Sequence, residues 1–132
     1  MREIKFRGER IDNGEWAYGD LINYVNGKTA IRNTESWLTH WVDPATVGQY
    51  TGLKDKGGTE SYHKDIVRTN AEQVGVVEFG SYSPTGNEWD NTWGWFIQFP
   101  NGGQISMDEH FRCWGEVVGN IYDNPELLEG DE

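Results

Sequence analysis

The chain has 132 residues, with seven Trp, six Tyr and five Phe beside 17 Gly, a single Cys and a formal net charge of −11. One cysteine excludes an intramolecular disulfide framework and suits a reducing compartment. No stretch approaches the ~18–20 apolar residues of a membrane span, and MREIKFRG at the N-terminus has no apolar run of signal-peptide length, so the expectation is a soluble, cytoplasmic protein of one domain or two small subdomains.

In chain order, residues 4–7 and 15–18 predict strands around a turn at Asp12-Asn13-Gly14, with Trp16 and Tyr18 on one face. Residues 21–25 and 28–32 flank Asn26-Gly27, a strong two-residue hairpin signal. Residues 37–42 read either as a strand or as an irregular aromatic segment. Asp43 resembles an N-cap with Pro44 in the first helical position, predicting a short helical turn over 44–47 that Gly48 stops. A loop over 53–59 then leads to strands at 62–69 and 74–79 around Asn70-Ala71-Glu72.

Residues 80–92 predict a long mobile loop, the place where binding function most readily sits. Strands at 93–99 and 104–107 follow, joined by Pro100-Asn101-Gly102-Gly103. A last strand at 115–122 precedes a capped turn at 124–128. The expected fold is all-β with little helix. N-terminal β-hairpins and a connector (1–59) pack with a C-terminal SH3-like small barrel and acidic tail (60–132). Burying one Trp removes ~200 Å² from water, roughly 5 kcal/mol at most, so most of the seven are expected in the core or at an interface.

Six ordered blocks carry a resemblance: MREIKFRG at 1–8, GEWAYGDL at 14–21, VDPATVGQYTGLKDKGG at 42–58, DIVR at 65–68, GVVEFG at 75–80 and GNIYDNPELLE at 119–129. Together they resemble the YopX family of phage and prophage proteins across nearly the whole chain. The resemblance implies a mainly β fold with an SH3-like barrel in the C-terminal part, a phage or prophage origin and hence a host bacterial cytoplasm. It brings no established biochemical activity with it. One departure stands out. Before DIV, relatives usually have Ile-Tyr-Glu-Gly, whereas this chain has Ser61-Tyr62-His63-Lys64, placing Lys64 where a glycine adopts positive φ at low cost.

The charge is unevenly divided. Residues 1–68 hold ten acidic and ten basic residues; residues 69–132 hold twelve acidic residues and one basic residue, Arg112. An acidic half disfavours direct binding to a nucleic-acid backbone and points to a basic partner, either another protein or the balanced half of a second subunit in a homo-oligomer.

Little supports catalysis. Gly27-Lys28-Thr29 ends like a phosphate-binding loop, but Ile22 stands where that motif needs its first glycine, and strand-like alternation follows. His110-Phe111-Arg112-Cys113 offers two metal-ligand types, yet His40 and His63 are isolated and no second Cys exists, so the reading is a buried thiol beside Trp114. Among Glu78, Glu88, Asp90, Asp108 and Glu116, no spacing nominates an acid–base pair. The sequence therefore predicts a non-enzyme without catalytic, cofactor or metal residues.

The candidate binding surface is Tyr82, Glu88, Trp89, Asp90, Trp93 and Trp95, indole faces bordered by carboxylates. The expected function is an accessory protein acting through protein contacts or self-assembly. The alternatives are an acidic DNA-mimic decoy for a host DNA-binding protein and a carbohydrate-binding module using the Trp89/Trp93/Trp95 cluster.

Overall fold

A computed structural model of the chain describes residues 3–87 and 89–128. The elements are β1 (Phe6–Glu9), β2 (Trp16–Asn23), β3 (Thr29–Arg32), β4 (Thr39–Val42), β5 (Gly48–Lys54), β6 (Glu60–Tyr62), β7 (Asp65–Thr69), β8 (Val74–Tyr82), β9 (Thr92–Gln98), β10 (Gln104–Ser106), α1 (Phe111–Trp114) and β11 (Gly115–Asn120). The fold is all-β, with one single-turn α-helix and 3-10 turns at Pro44–Thr46 and Pro125–Leu128. Two compact units divide the chain, Met1–Gly52 and Leu53–Glu132. The division falls inside β5, and the 54–59 segment is tied to the second unit's last strand.

In the first unit the strand order β4-β3-β2-β1-β5 is antiparallel at each register determined. The sheet curls until β4 meets the residues after β1: Arg10 bridges Val42, and the Ile11 N–H donates to the Trp41 carbonyl at 3.0 Å. Its small core joins buried Ala17, Ile31 and Val42 with Phe6, Leu21 and Val47. Curling this tightly needs a residue without a side chain opposite Val42. A Cβ on Gly8 would sit 2.9 Å from a Val42 methyl carbon. Trp16 and Tyr18 do share a face of β2, but that face points outward, since Ala17 supplies the core. Asp43 caps the 3-10 turn by accepting from the Ala45 N–H at 3.0 Å.

The second unit is a five-stranded antiparallel sheet ordered β10-β9-β8-β7-β11: a meander whose last strand returns beside its first. Among the described residues, β10 and β11 are its two edge strands. The core is Val67, Val77, Ile97, Phe99, Met107 and Phe111. Within α1, Phe111 and Trp114 face this core three residues apart. Cys113 is consequently exposed, which corrects the expected buried thiol.

The tie on the 54–59 segment is Asp55, whose side chain is buried. One oxygen accepts from the Gly57 and Thr59 N–H groups at 2.9 and 2.8 Å, the other from the Val117 N–H in β11 at 2.8 Å. Val117 adjoins the bulge where β11 shifts register against β7, which leaves its N–H to this partner.

One turn recurs throughout. Residue pairs 24/28, 55/59, 69/73 and 99/103 each close a three-residue loop by a backbone bond of 2.8–2.9 Å. The third loop residue is left-handed in every case: Gly27, Gly58, Glu72 and Gly102, with φ of 86°, 86°, 66° and 100°. This is a type I turn followed by an αL residue. The hairpin at Asn26-Gly27 therefore has three loop residues, Val25-Asn26-Gly27, where two were expected. Only Glu72 pays the steric cost of a Cβ there. Replacing Glu72→Gly is predicted to stabilise the protein by about 0.5–1 kcal/mol, because released αL strain outweighs the added freedom of the unfolded chain; an unchanged or lower urea midpoint contradicts this.

Candidate functional site

The β8–β9 hairpin positions the candidate surface. Its register pairs Phe79 with Trp95, Gly80 with Gly94, Ser81 with Trp93 and Tyr82 with Thr92. Gly80 and Gly94 sit opposite one another with φ of 148° and 152°, a backbone open essentially to glycine. Tyr82 and Phe96 lie two residues to either side of this pair, yet their rings stack at 4.7 Å with 20° between planes. An unbent hairpin would hold them more than a ring length apart, so the glycine pair marks a sharp bend. The Tyr82 hydroxyl reaches the Ser106 Oγ at 2.7 Å.

The other face of the hairpin begins as core and ends as surface. Val77 and Ile97 are fully buried. One pair further along, Trp95 is half-buried against the core while Phe79 is 54% exposed. Beyond the glycine pair Trp93 is 74% exposed. Phe79 and Trp95 meet edge-on at 4.8 Å, and His63 sets its ring edge-on to Trp95 at 5.6 Å.

His63 also bonds Glu78 at 3.1 Å, and the Lys64 ammonium grips both Glu78 oxygens at 2.8 and 2.7 Å. Lys64 holds φ of 76°, so this position keeps the left-handed backbone that a glycine would take freely, and its side chain gains an ion pair. Burial pushes the Glu78 carboxyl up, but hydrogen bonds from His63 and Lys64, with the charge of both, hold it below its ordinary value.

Residues 80–82 and Thr92 extend the strands, so the connecting loop is 83–91. It carries hydrogen bonds of its own. The Ser83 N–H donates to the Gln104 side chain at 2.9 Å, the Ser83 hydroxyl to the Asn87 carbonyl at 2.8 Å, and the Trp89 N–H to the Asn87 side chain at 2.9 Å. Trp89 is 86% exposed at its end and Asp90 is exposed beside it. Glu88 lies outside the described residues.

Of the predicted surface residues, Trp89, Asp90, Trp93 and part of Trp95 face solvent, while Tyr82 is buried in the stack with Phe96. Phe79, His63 and Lys64 join the surface through cross-strand register and a positive-φ turn, which no sequence spacing announces. Of the core or interface positions expected for most of the seven Trp, full burial in the core is not found: Trp16, Trp95 and Trp114 are half-buried, and Trp37, Trp41, Trp89 and Trp93 are exposed. Among the described residues, no group of three His, Cys, Asp or Glu side chains is gathered as for a metal ion.

The geometry defines an all-β chain of two units whose second unit displays an aromatic strip on a bent hairpin, in a segment of high acidic content. The chain belongs to the YopX family: the family described as YopX protein matches residues 5–129. No curated protein matches it at significance.

Two outcomes test the ion-pair cluster. Lys64→Ala keeps the backbone strain and loses the ion pair, whereas Lys64→Gly loses both, so the Gly variant is predicted to be the more stable by about 1 kcal/mol in urea titration, the reverse of the usual order. The Glu78 carboxyl lies below its unfolded value near 4.5 when folded. Its stabilisation is therefore complete above that pH and is lost as pH falls through the folded value. The difference in unfolding midpoint between wild type and Glu78→Gln is expected to shrink as pH drops from 7 toward 3; a constant difference would contradict the assignment.

Proposed function

We propose that the protein is a non-enzymatic accessory protein whose second unit docks onto a partner protein through the strip Trp93, Phe79 and Trp89, with Trp95 as its half-buried root. The observation that carries this reading is the continuation of a core-forming strand face into solvent at Phe79 and Trp93. Large aromatic side chains on a rigid hairpin bury much area at little entropic cost, which is the composition of interface hot spots. The second unit contains 15 acidic and 5 basic residues, so the partner's surface is basic around an apolar patch. The family resemblance adds that the partner is a host bacterial or phage protein, or a second copy of this chain contributing its balanced first unit.

The decoy reading has less support. Mimicking DNA takes free carboxylates in rows. Here Asp55 and Asp65 are buried and accept backbone N–H bonds, and Glu78 and Glu116 are paired with Lys64 and Arg68. In the carbohydrate reading, Trp89 and Trp93 serve as stacking platforms.

The double variant Phe79→Ser/Trp93→Ser is expected to stay folded and lose about 1–2 kcal/mol of unfolding free energy in urea titration, since Trp93 is exposed and Phe79 gives up mainly its edge-on contact with Trp95. It is also expected to lose a partner that the wild type retains from host cytosol, or to turn a wild-type oligomer monomeric in light scattering at ~100 μM. Retention of the same partner and the same mass by the double variant overturns the docking reading. Saturable tryptophan quenching by cell-wall or exopolysaccharide fragments would favour the sugar-binding alternative.

A further inference from the structure

The first unit holds a cavity of about 460 Å³ that the aromatic strip does not involve. Its walls are mostly apolar, with Ile11, Trp41, Val42 and Pro44 contributing, and Lys28 and His40 enter it as the basic groups. Volume and lining are those of small-molecule pockets, which span roughly 300–1,000 Å³ with a few polar groups set among apolar ones. Trp41 is 47% exposed and braced from one side by Tyr24, ring centres 5.1 Å apart. The three-residue turn Val25-Asn26-Gly27 brings Lys28 over the indole at 5.4 Å.

The charges at the cavity are asymmetric. Asp12 lines it, but both of its oxygens are engaged by the Arg10 guanidinium at 3.0 and 2.8 Å. Among the described residues Lys28 has no carboxylate partner within ion-pair distance, and the Trp41 ring is the contact of its ammonium. A cationic ligand would meet Lys28 and find the one acid already neutralised. A neutral ligand would use the walls and leave the exposed Lys28 ammonium to solvent. A planar aromatic anion satisfies both features, its ring against the Trp41 wall and its negative group on Lys28.

We infer that this cavity is a binding site for a small planar aromatic monoanion, such as an aryl carboxylate, held by Trp41 and Lys28. Gly27-Lys28-Thr29, which in sequence only imitates a phosphate-binding loop, is then the element that supplies the anion's cation. The site is independent of the docking strip.

Three probes of one shape test it: 2-naphthoate, naphthalen-2-ylmethanol and naphthalen-2-ylmethylammonium, followed by amide and indole N–H shifts in NMR titration. The expected result is that 2-naphthoate moves the Trp41 indole resonance, assigned with Trp41→Phe, together with the Lys28 and His40 amides. It binds at least tenfold more tightly than the alcohol, and the ammonium more weakly still. Lys28→Gln is expected to abolish the preference for the anion without changing alcohol binding, and Lys28→Arg to restore it. Equal binding of anion and alcohol, shifts confined to other tryptophans, an unaltered preference in Lys28→Gln, or no binding of any probe overturns the inference.

Discussion

The buried carboxylate of Asp55 is the constraint on which the second unit's closure rests. It accepts from two N–H groups in its own loop and from Val117 in the last strand, 62 residues further along the chain. The carboxylate is itself buried, and a buried acceptor left without donors would cost on the order of 1–3 kcal/mol or more, so its three bonds both shape the loop and fix where β11 lies against it. The Lys56 N–H adds a backbone bond to the Gly115 carbonyl at 3.0 Å beside it. With β11 held there, its other edge pairs with β7 and the meander follows. The 42–58 block of the family resemblance carries structural tasks: Asp43 caps a turn, Thr46 accepts the Glu9 N–H, and Asp55 staples the loop.

Aromatic residues are used unusually in this chain. The buried cores are built from Val, Ile, Phe and Met in the second unit and Ala, Ile and Val in the first. The indoles lie half-buried or outside, over Arg7 at Trp16, under Lys28 at Trp41, and along the bent hairpin at Trp93 and Trp95. Indole combines large apolar area with a polar edge and suits positions that are wet on one side. The two proposed sites draw on the same property, with a protein partner in one and an aromatic anion in the other.

Much of the strand layout was legible in the sequence. Alternation and valine–isoleucine runs located β3, β7, β8 and β9, and Asp43-Pro44 announced its 3-10 turn, while the separate strands expected at 15–18 and 21–25 run together as the single β2. Three features were not legible. β5 carries Gly48 and Gly52, which read as connector, yet it pairs with β1 through Phe6 and Arg7. Cys113 looked like a buried thiol because its neighbours are aromatic, but a single helical turn sends Phe111 and Trp114 inward and leaves Cys113 outside. Tyr82 reads as a surface residue because it falls within the loop predicted over 80–92, whereas the structure extends β8 through it and the bend at Gly80 and Gly94 folds it inward.

The sequence by itself determined the all-β class, the family and the charge division, because alternation, turn residues and charge are local or additive properties of the chain. Only the tertiary structure decided which aromatic faces meet solvent. That choice depends on cross-strand register, on a glycine pair bending one hairpin, and on two strands curling until Gly8 faces Val42, all of them contacts between residues distant in sequence. For the same reason the sequence named Trp89, Trp93 and Trp95 without Phe79, and named Lys28 without the cavity it enters.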